Sequence, residues 1–309
     1  QKKGDFFMPS WHGIGEEIGE EINKANTAID RIRKKYLSRL HNHLDRNIII
    51  YYSGWLQKPN VQGSELNDID KNGFMSVIHK IDRKKGLDLI LHTPGGDPAA
   101  TESLVDYLKS MFGNDIRAIV PQIAMSAGTM VTCACKEIIM GKQSSLGPID
   151  PHFSGIPAHG AIEEFEKARK EIKNDPSQIP VWQPVIAKYP PTFIGECKKA
   201  LDWSREMAKE WLISCMFAND NKKEDKADKV VKVLSDHALT KSHSRHLSFK
   251  ACKDLGLNVT SLEKDNKFQD LVLSVHHACM YSLARTNTIK IIENHKGIAF
   301  IQNIAIPNE

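Results

Sequence analysis

Ser126 stands among small residues in Pro121-Gln122-Ile123-Ala124-Met125-Ser126-Ala127-Gly128-Thr129, where a predicted strand, Arg117 to Val120, gives way to a helix predicted from Gly128 to about Lys136. A serine at a tight strand-to-helix turn has its hydroxyl exposed, and the first N–H groups of the helix lie free beside it. About thirty residues earlier, a second junction of this kind, Leu89-Ile90-Leu91-His92-Thr93-Pro94-Gly95-Gly96-Asp97, carries two glycines. Gly96 has no Cβ, so its backbone N–H can face a substrate carbonyl. Ala127, directly after the serine, offers a second N–H. A hydroxyl nucleophile between two backbone donors is suited to acyl transfer. Such donors stabilise a tetrahedral oxyanion, and losing one typically costs on the order of 3 kcal/mol.

The elements around these turns must bring them together. Asn47 to Tyr52, Leu87 to Leu91, Ile116 to Val120 and Glu137 to Met140 read as strands. Helices are predicted between them at Asp68 to Lys84, Thr101 to Phe112 and Gly128 to Lys136. Strands alternating with helices imply parallel β-α-β units with right-handed crossovers. Near-continuous apolar strands fit a sheet covered on both faces. Reacting groups in such sheets sit at the carboxyl ends of the strands, so Gly96 and Ser126 can converge.

Ile14 to Leu44 reads as one long helix, with Ile18, Ile22, Ala25, Ile29, Ile32, Tyr36 and Leu40 forming a near-heptad stripe among charged residues, Arg33 included. The stripe either covers the body of its own subunit or serves as an oligomerisation arm. Pro148 to Gly160 is loop or irregular strand, and Ala161 to Asn174 is a strongly charged helix. Pro176, Pro180, Pro184, Pro190 and Pro191 then break the chain. Helices follow at Lys198 to Phe217, Lys222 to Ser235, Leu247 to Leu255 and Phe268 to about Asn287, and a closing strand at Gly297 to Ile304. The domain reading is an N-terminal helical segment, 1–46, and an α/β catalytic domain, 47–309.

With 309 residues, 41% of them apolar, the chain can bury a sizeable core. Lys+Arg 42 against Asp+Glu 38 leaves a net charge of +4 with the signs interspersed, which does not favour nucleic-acid binding. No apolar run is long enough for a membrane-spanning helix. Gln1-Lys2-Lys3-Gly4-Asp5 shows no hydrophobic region of the signal-peptide kind. Cys133, Cys135, Cys197, Cys215, Cys252 and Cys279 are scattered, as in a cytoplasmic protein with reduced thiols. Cys133 and Cys135 fall in one predicted helix at a spacing that shares no face, a poor metal clip. His237, His243, His246 and the pair His276-His277 lack metal-ligand spacing. No metal and no cofactor is expected.

Three segments in order, Thr93-Pro94-Gly95-Gly96-Asp97, Ala124-Met125-Ser126-Ala127-Gly128-Thr129-Met130 and Ser144-Ser145-Leu146-Gly147-Pro148-Ile149-Asp150-Pro151, resemble the serine dehydrogenase proteinase family. That family stands with the signal peptide peptidase A and ClpP group of serine peptidases, within the ClpP/crotonase fold. Ser242-His243-Ser244-Arg245 through Ala251-Cys252-Lys253-Asp254-Leu255-Gly256-Leu257 is similar to a late helix of that fold, so the resemblance runs roughly from Ile48 to Val259. It implies repeated β-α-β units of the ClpP/crotonase type, with an added long N-terminal helix and C-terminal helices. It implies peptide hydrolysis through an acyl-enzyme, with Ser126 as nucleophile and the Gly96 and Ala127 N–H groups as oxyanion hole.

A serine hydroxyl needs a base. One branch of the group uses lysine, and the resemblance then points to Lys167, in Ala161-Ile162-Glu163-Glu164-Phe165-Glu166-Lys167, with Lys170 beside it. A lysine serves only if burial lowers its pKa from near 10.4. The other branch uses histidine with aspartate, which here implies His152 with Asp150, residues that share a face if the segment is extended. Lys142 is near in sequence but is expected on the far side of its strand. The resemblance further implies a peptide or protein substrate, a homo-oligomer and an unknown regulatory partner. The expected location is the cytoplasm, with peripheral membrane association left open. Two alternatives stand beside it: a crotonase-like acyl-CoA enzyme, for which Glu102 is the one glutamate near the turns, and a non-catalytic oligomeric scaffold.

Overall fold

Asn47–Ser53 (β1) is buried along its whole length, and its side chains alternate between two cores. Ile49 and Tyr51 face one, while Ile48, Ile50 and Tyr52 face the other. The two-residue period of a strand produces the split. A computed structural model describes residues 28–153, 155–235 and 245–304.

β1 lies inside a seven-stranded sheet. Leu87–His92 (β2), Ile116–Val120 (β3), Glu137–Met140 (β5) and Val259–Ser261 (β10) follow it in parallel, in the order β10-β5-β3-β2-β1. On its other side Thr288–Asn294 (β11) pairs antiparallel with β1, and Ala299–Asn303 (β12) pairs antiparallel with β11. Ile123–Ala124 (β4), Ser145–Leu146 (β6) and Leu247–Ser248 (β9) form a small second sheet, and His152–Phe153 (β7) pairs with Ile156–Pro157 (β8). The architecture is mixed α/β with a mostly parallel sheet, as the alternation of elements predicts.

The helices cover both faces. Ala28–Leu44 (α1) and Asn266–Arg285 (α10) pack together on the face of Ile48, Ile50 and Tyr52. Ile69–Ile78 (α2), Pro98–Phe112 (α3), Ala127–Cys133 (α4) and Lys223–Ser235 (α8) contribute to the opposite core, with Phe249–Leu255 (α9) beside them. Ala158–Asn174 (α5), Ile179–Ile186 (α6) and Phe193–Trp211 (α7) follow the short β7–β8 pair. There α5 and α7 share a small apolar cluster of Ala158, Ala161, Cys197 and Leu201.

Several elements differ from the sequence expectation for local reasons. β11 is absent from it because Lys290 and Glu293 interrupt its apolar pattern, yet both are fully buried. Each has a buried partner of opposite charge, Asp70 for Lys290 and Arg33 for Glu293. Arg33, expected on the solvated face of the first helix, therefore points inward and also donates to Ser282 Oγ at 3.0 Å. Removing one member of such a buried pair typically costs about 3–5 kcal/mol. Ile32, Tyr36 and Leu40 are buried as the stripe predicts; residues 14–27 of that expected helix lie outside the described residues. The helix expected over Asp68 to Lys84 stops at Ile78, because His79 is extended and Lys80 takes φ 60°. The proline-broken stretch contains α6, with Pro180 in its first turn, where no intrahelical N–H bond is lost.

Candidate active site

β2 ends at His92 and hands the chain to Thr93-Pro94-Gly95-Gly96-Asp97. Asp97 is the N-cap of α3, accepting the Ala100 N–H at 2.9 Å, and Pro98 begins the helix. The acid after the glycine pair is thus engaged in capping. Gly95 takes φ 103°, a conformation that favours glycine, and donates its N–H to Thr93 Oγ1 at 3.1 Å.

Gly96 lies in a parallel bridge with Leu66. The Leu66 N–H donates to Gly95 O at 2.8 Å and the Asp97 N–H to Leu66 O at 2.9 Å. In a parallel ladder the residue between two such bonds turns its own N–H away from the partner strand. The Gly96 N–H therefore faces away from Leu66, and Gly96 lines a cleft. A Cβ on Gly96 would stand 2.1 Å from Leu66 O and 2.4 Å from Leu66 N, so no other residue permits this approach.

Beyond β3 the chain does not turn straight into a helix. Pro121 and Gln122 lead into β4, which bridges Thr93 and pairs with β6. The Met125 N–H then donates to Thr93 O at 3.0 Å. Ser126 follows at φ 49° and ψ −117°. A non-glycine residue there carries backbone strain on the order of 1–3 kcal/mol. The turn closes through Gly128 N–H to Met125 O at 2.8 Å and Met130 N–H to Ser126 O at 3.0 Å. Ala127 is the first residue of α4, where a backbone N–H has no intrahelical acceptor.

Ser144-Ser145-Leu146-Gly147 acts as scaffold for this turn. The Gly147 N–H is shared between Ala124 O at 3.2 Å and Thr129 Oγ1 at 3.0 Å, and the Thr129 hydroxyl donates to Ala124 O at 3.0 Å.

Ser126, Ala127, Gly95 and Gly96 line one cleft of about 1090 Å³. Met130, Ile149 and Leu66 supply apolar surface, and α7 contributes a wall of Glu196, Lys199 and Trp203. The Lys199 ammonium stands 3.0 Å from Glu196 Oε1. The sequence reading missed Leu66, which sits in a polar loop without local signal, and the wall supplied by α7.

The expected bases fall in different places. His152 is exposed and lines the cleft with Ser126. Asp150 differs from it in environment: it is buried, and its Oδ1 accepts the His159 N–H at 3.4 Å in the first turn of α5, where a carboxylate is favourable. Lys167 is on α5 with a side chain 68% exposed, 3.9 Å from Glu171 Oε1 and 5.9 Å from the centroid of the Trp182 ring. It is not among the cleft-lining residues, and it lacks the burial a lysine base requires. Lys170 is exposed on the same helix. Lys142 is exposed in the turn after β5, with its backbone N–H on Glu263 at 2.7 Å. Glu102, on α3, does not line the cleft either.

All six cysteines are buried, and burial pushes the Cys133 and Cys252 thiols up to about 12. Such thiols are inert as nucleophiles. Among the described residues, no group of three or more His, Cys, Asp or Glu is placed to hold a metal ion. His276 belongs to a ring cluster with Tyr52 and His92, and His246 is exposed. His237 and His243 lie outside the described residues. Among the described residues, no helix is long and apolar enough to cross a membrane.

Two uncharacterized proteins of Methanocaldococcus jannaschii are similar to this chain. One is 28% identical over 190 residues, covering 62% of this chain and 59% of that protein. The other is 27% identical over 192 residues, covering 62% and 58%. The chain thus spans about three fifths of the length of these relatives. No solved structure gives a significant match. The pattern of one family extends across nearly the whole fold, from residue 20 to residue 283, and by that match the chain belongs to the ClpP-like SDH-type serine proteinases.

Proposed function

We propose that the protein hydrolyses peptide bonds through a Ser126 acyl-enzyme, with the Gly96 and Ala127 N–H groups as oxyanion hole. The observation that carries this reading is that Ser126, Gly96 and Ala127 line one cleft, with the serine held at φ 49°. The Ser126 oxygen attacks the substrate carbonyl carbon while a base takes the hydroxyl proton. The carbonyl oxygen becomes an oxyanion between the two donors. Collapse expels the amine, which receives the proton from the base, and water then releases the acyl group by the reverse sequence.

His152 is the base in this reading, because it shares the cleft with Ser126, whereas Lys167 is solvated and paired elsewhere. The reading takes in a peptide or protein substrate, a homo-oligomeric assembly and the repeated β-α-β layout of the ClpP/crotonase fold. Six unpaired cysteines favour a reducing compartment such as the cytoplasm.

A fluorophosphonate probe tests it. The intact protein is expected to gain the mass of one adduct on Ser126, and Ser126→Ala is expected to gain none. An unlabelled wild type in every assembly state would sink the proposal.

A further inference from the structure

We propose that Tyr51, Asp70 and Lys290, none of which lines the cleft, position the Gly96 N–H for oxyanion binding. The proposal rests on the reading of Ser126 and Gly96 above.

Lys290 lies on β11 with no exposed surface. Its ammonium donates to Asp70 Oδ1 at 2.7 Å and to the Glu65 carbonyl at 2.8 Å. The other carboxylate oxygen of Asp70 accepts the Tyr51 hydroxyl at 2.8 Å and the Asn67 N–H at 3.0 Å. One buried ion pair therefore holds the backbone on both sides of Leu66, the residue against which Gly96 is laid. On the facing strand the Thr93 hydroxyl takes the Gly95 N–H at 3.1 Å, next to Gly96. The ion pair thus fixes the Leu66 side of the Leu66–Gly96 bridge.

Geometry explains why charge is used here. A buried ion pair adds little net stability over well-packed apolar residues of the same volume. Charge-assisted hydrogen bonds are short and directional, so they fix position. An oxyanion donor needs that, because its distance to the developing charge must fall within a few tenths of an ångström. Burial and the Asp70 carboxylate push the Tyr51 phenol well above its ordinary range, so it remains a donor at neutral pH.

The test uses the full chain with Tyr51→Phe and Asp70→Asn. The rate of Ser126 labelling by a fluorophosphonate is measured, with kcat and KM for p-nitrophenyl acetate per titrated active site. Tyr51→Phe is near-isosteric and keeps the experiment informative if Asp70→Asn does not fold. Tyr51→Phe is expected to slow labelling and kcat by roughly three- to tenfold, and Asp70→Asn by roughly tenfold or more, with KM within about twofold. A merely structural role would lower the titre of active sites and leave the rate per site unchanged. Folded variants that react at the wild-type rate per site overturn the proposal alone. A wild type that is never labelled overturns the reading of Ser126, and this proposal with it.

Discussion

A methyl group on Gly95 would stand 2.7 Å from the Ser126 Cβ and 2.9 Å from the Ala127 nitrogen, so the two strand-end turns touch at the nucleophile itself. Gly95 also holds φ 103°, where an L side chain is strained. Gly95→Ala is therefore expected to displace Ser126 and Ala127 together. Labelling of Ser126 should fall by about two orders of magnitude or more, the scale of losing an oxyanion donor. Near-wild-type labelling of a folded Gly95→Ala protein would show that the contact is slack.

Ser126 is strained at φ 49°, and that strain follows from its placement between β4 and α4. Glycine tolerates such a backbone, whereas alanine keeps the Cβ. Ser126→Gly should therefore be more stable than Ser126→Ala by roughly 1 kcal/mol, offset in part by the freer unfolded chain. Both should be unlabelled. Equal urea midpoints for the two variants would argue that the strain is absent in solution.

The two expected bases predict opposite results. His152→Gln is expected to reduce kcat by about two to four orders of magnitude, the range of general base catalysis. Lys167→Met, on a solvated face of α5, is expected to leave kcat within about twofold, as exposed substitutions do. The reverse outcome would return the base to lysine and require another subunit to bury it.

Acid should destabilise the fold through buried histidines. Burial, with His41 nearby, lowers His295 from 6.5 to about 4, and burial with His277 nearby lowers His276 to about 3. His92 is lowered well below its ordinary value, first by burial and then by His276. Below pH 6.5 the unfolded chain takes up protons that these folded rings refuse, so stability is full above that value and falls as pH drops. The loss is up to about 1.4 kcal/mol per pH unit for each ring, and the His295 contribution levels off near pH 4. Urea midpoints at pH 7.5, 6 and 5 measure the slope; a constant midpoint over that range would contradict it.

Much of the core sheet was legible in the sequence because its signals are local. Ile116–Val120 and Glu137–Met140 are mostly apolar segments of strand length, each carrying one charged residue, and both occur where the pattern puts them. β11 was illegible because Lys290 and Glu293 read as solvated until Asp70 and Arg33, distant in sequence, are brought against them. Ser126 and the Gly95-Gly96 pair could be singled out because a small-residue turn after an apolar run has one economical geometry. The base could not be read in this way, since exposure depends on what packs over a helix. Lys167 and His152 differ little as residues in a string, yet one stands on an open face of α5 and the other at the cleft.

The sequence by itself determined the alternating elements, the two glycine-permitted turns and the serine between small residues, because backbone sterics and hydrophobic period act over a few residues. Only the tertiary structure decided that Leu66 backs Gly96, that Asp70 and Lys290 hold the backbone on both sides of Leu66, and that His152 and α7 complete the cleft. Those relationships join segments separated by tens to hundreds of residues, and they exist only once the sheet has set its strand order.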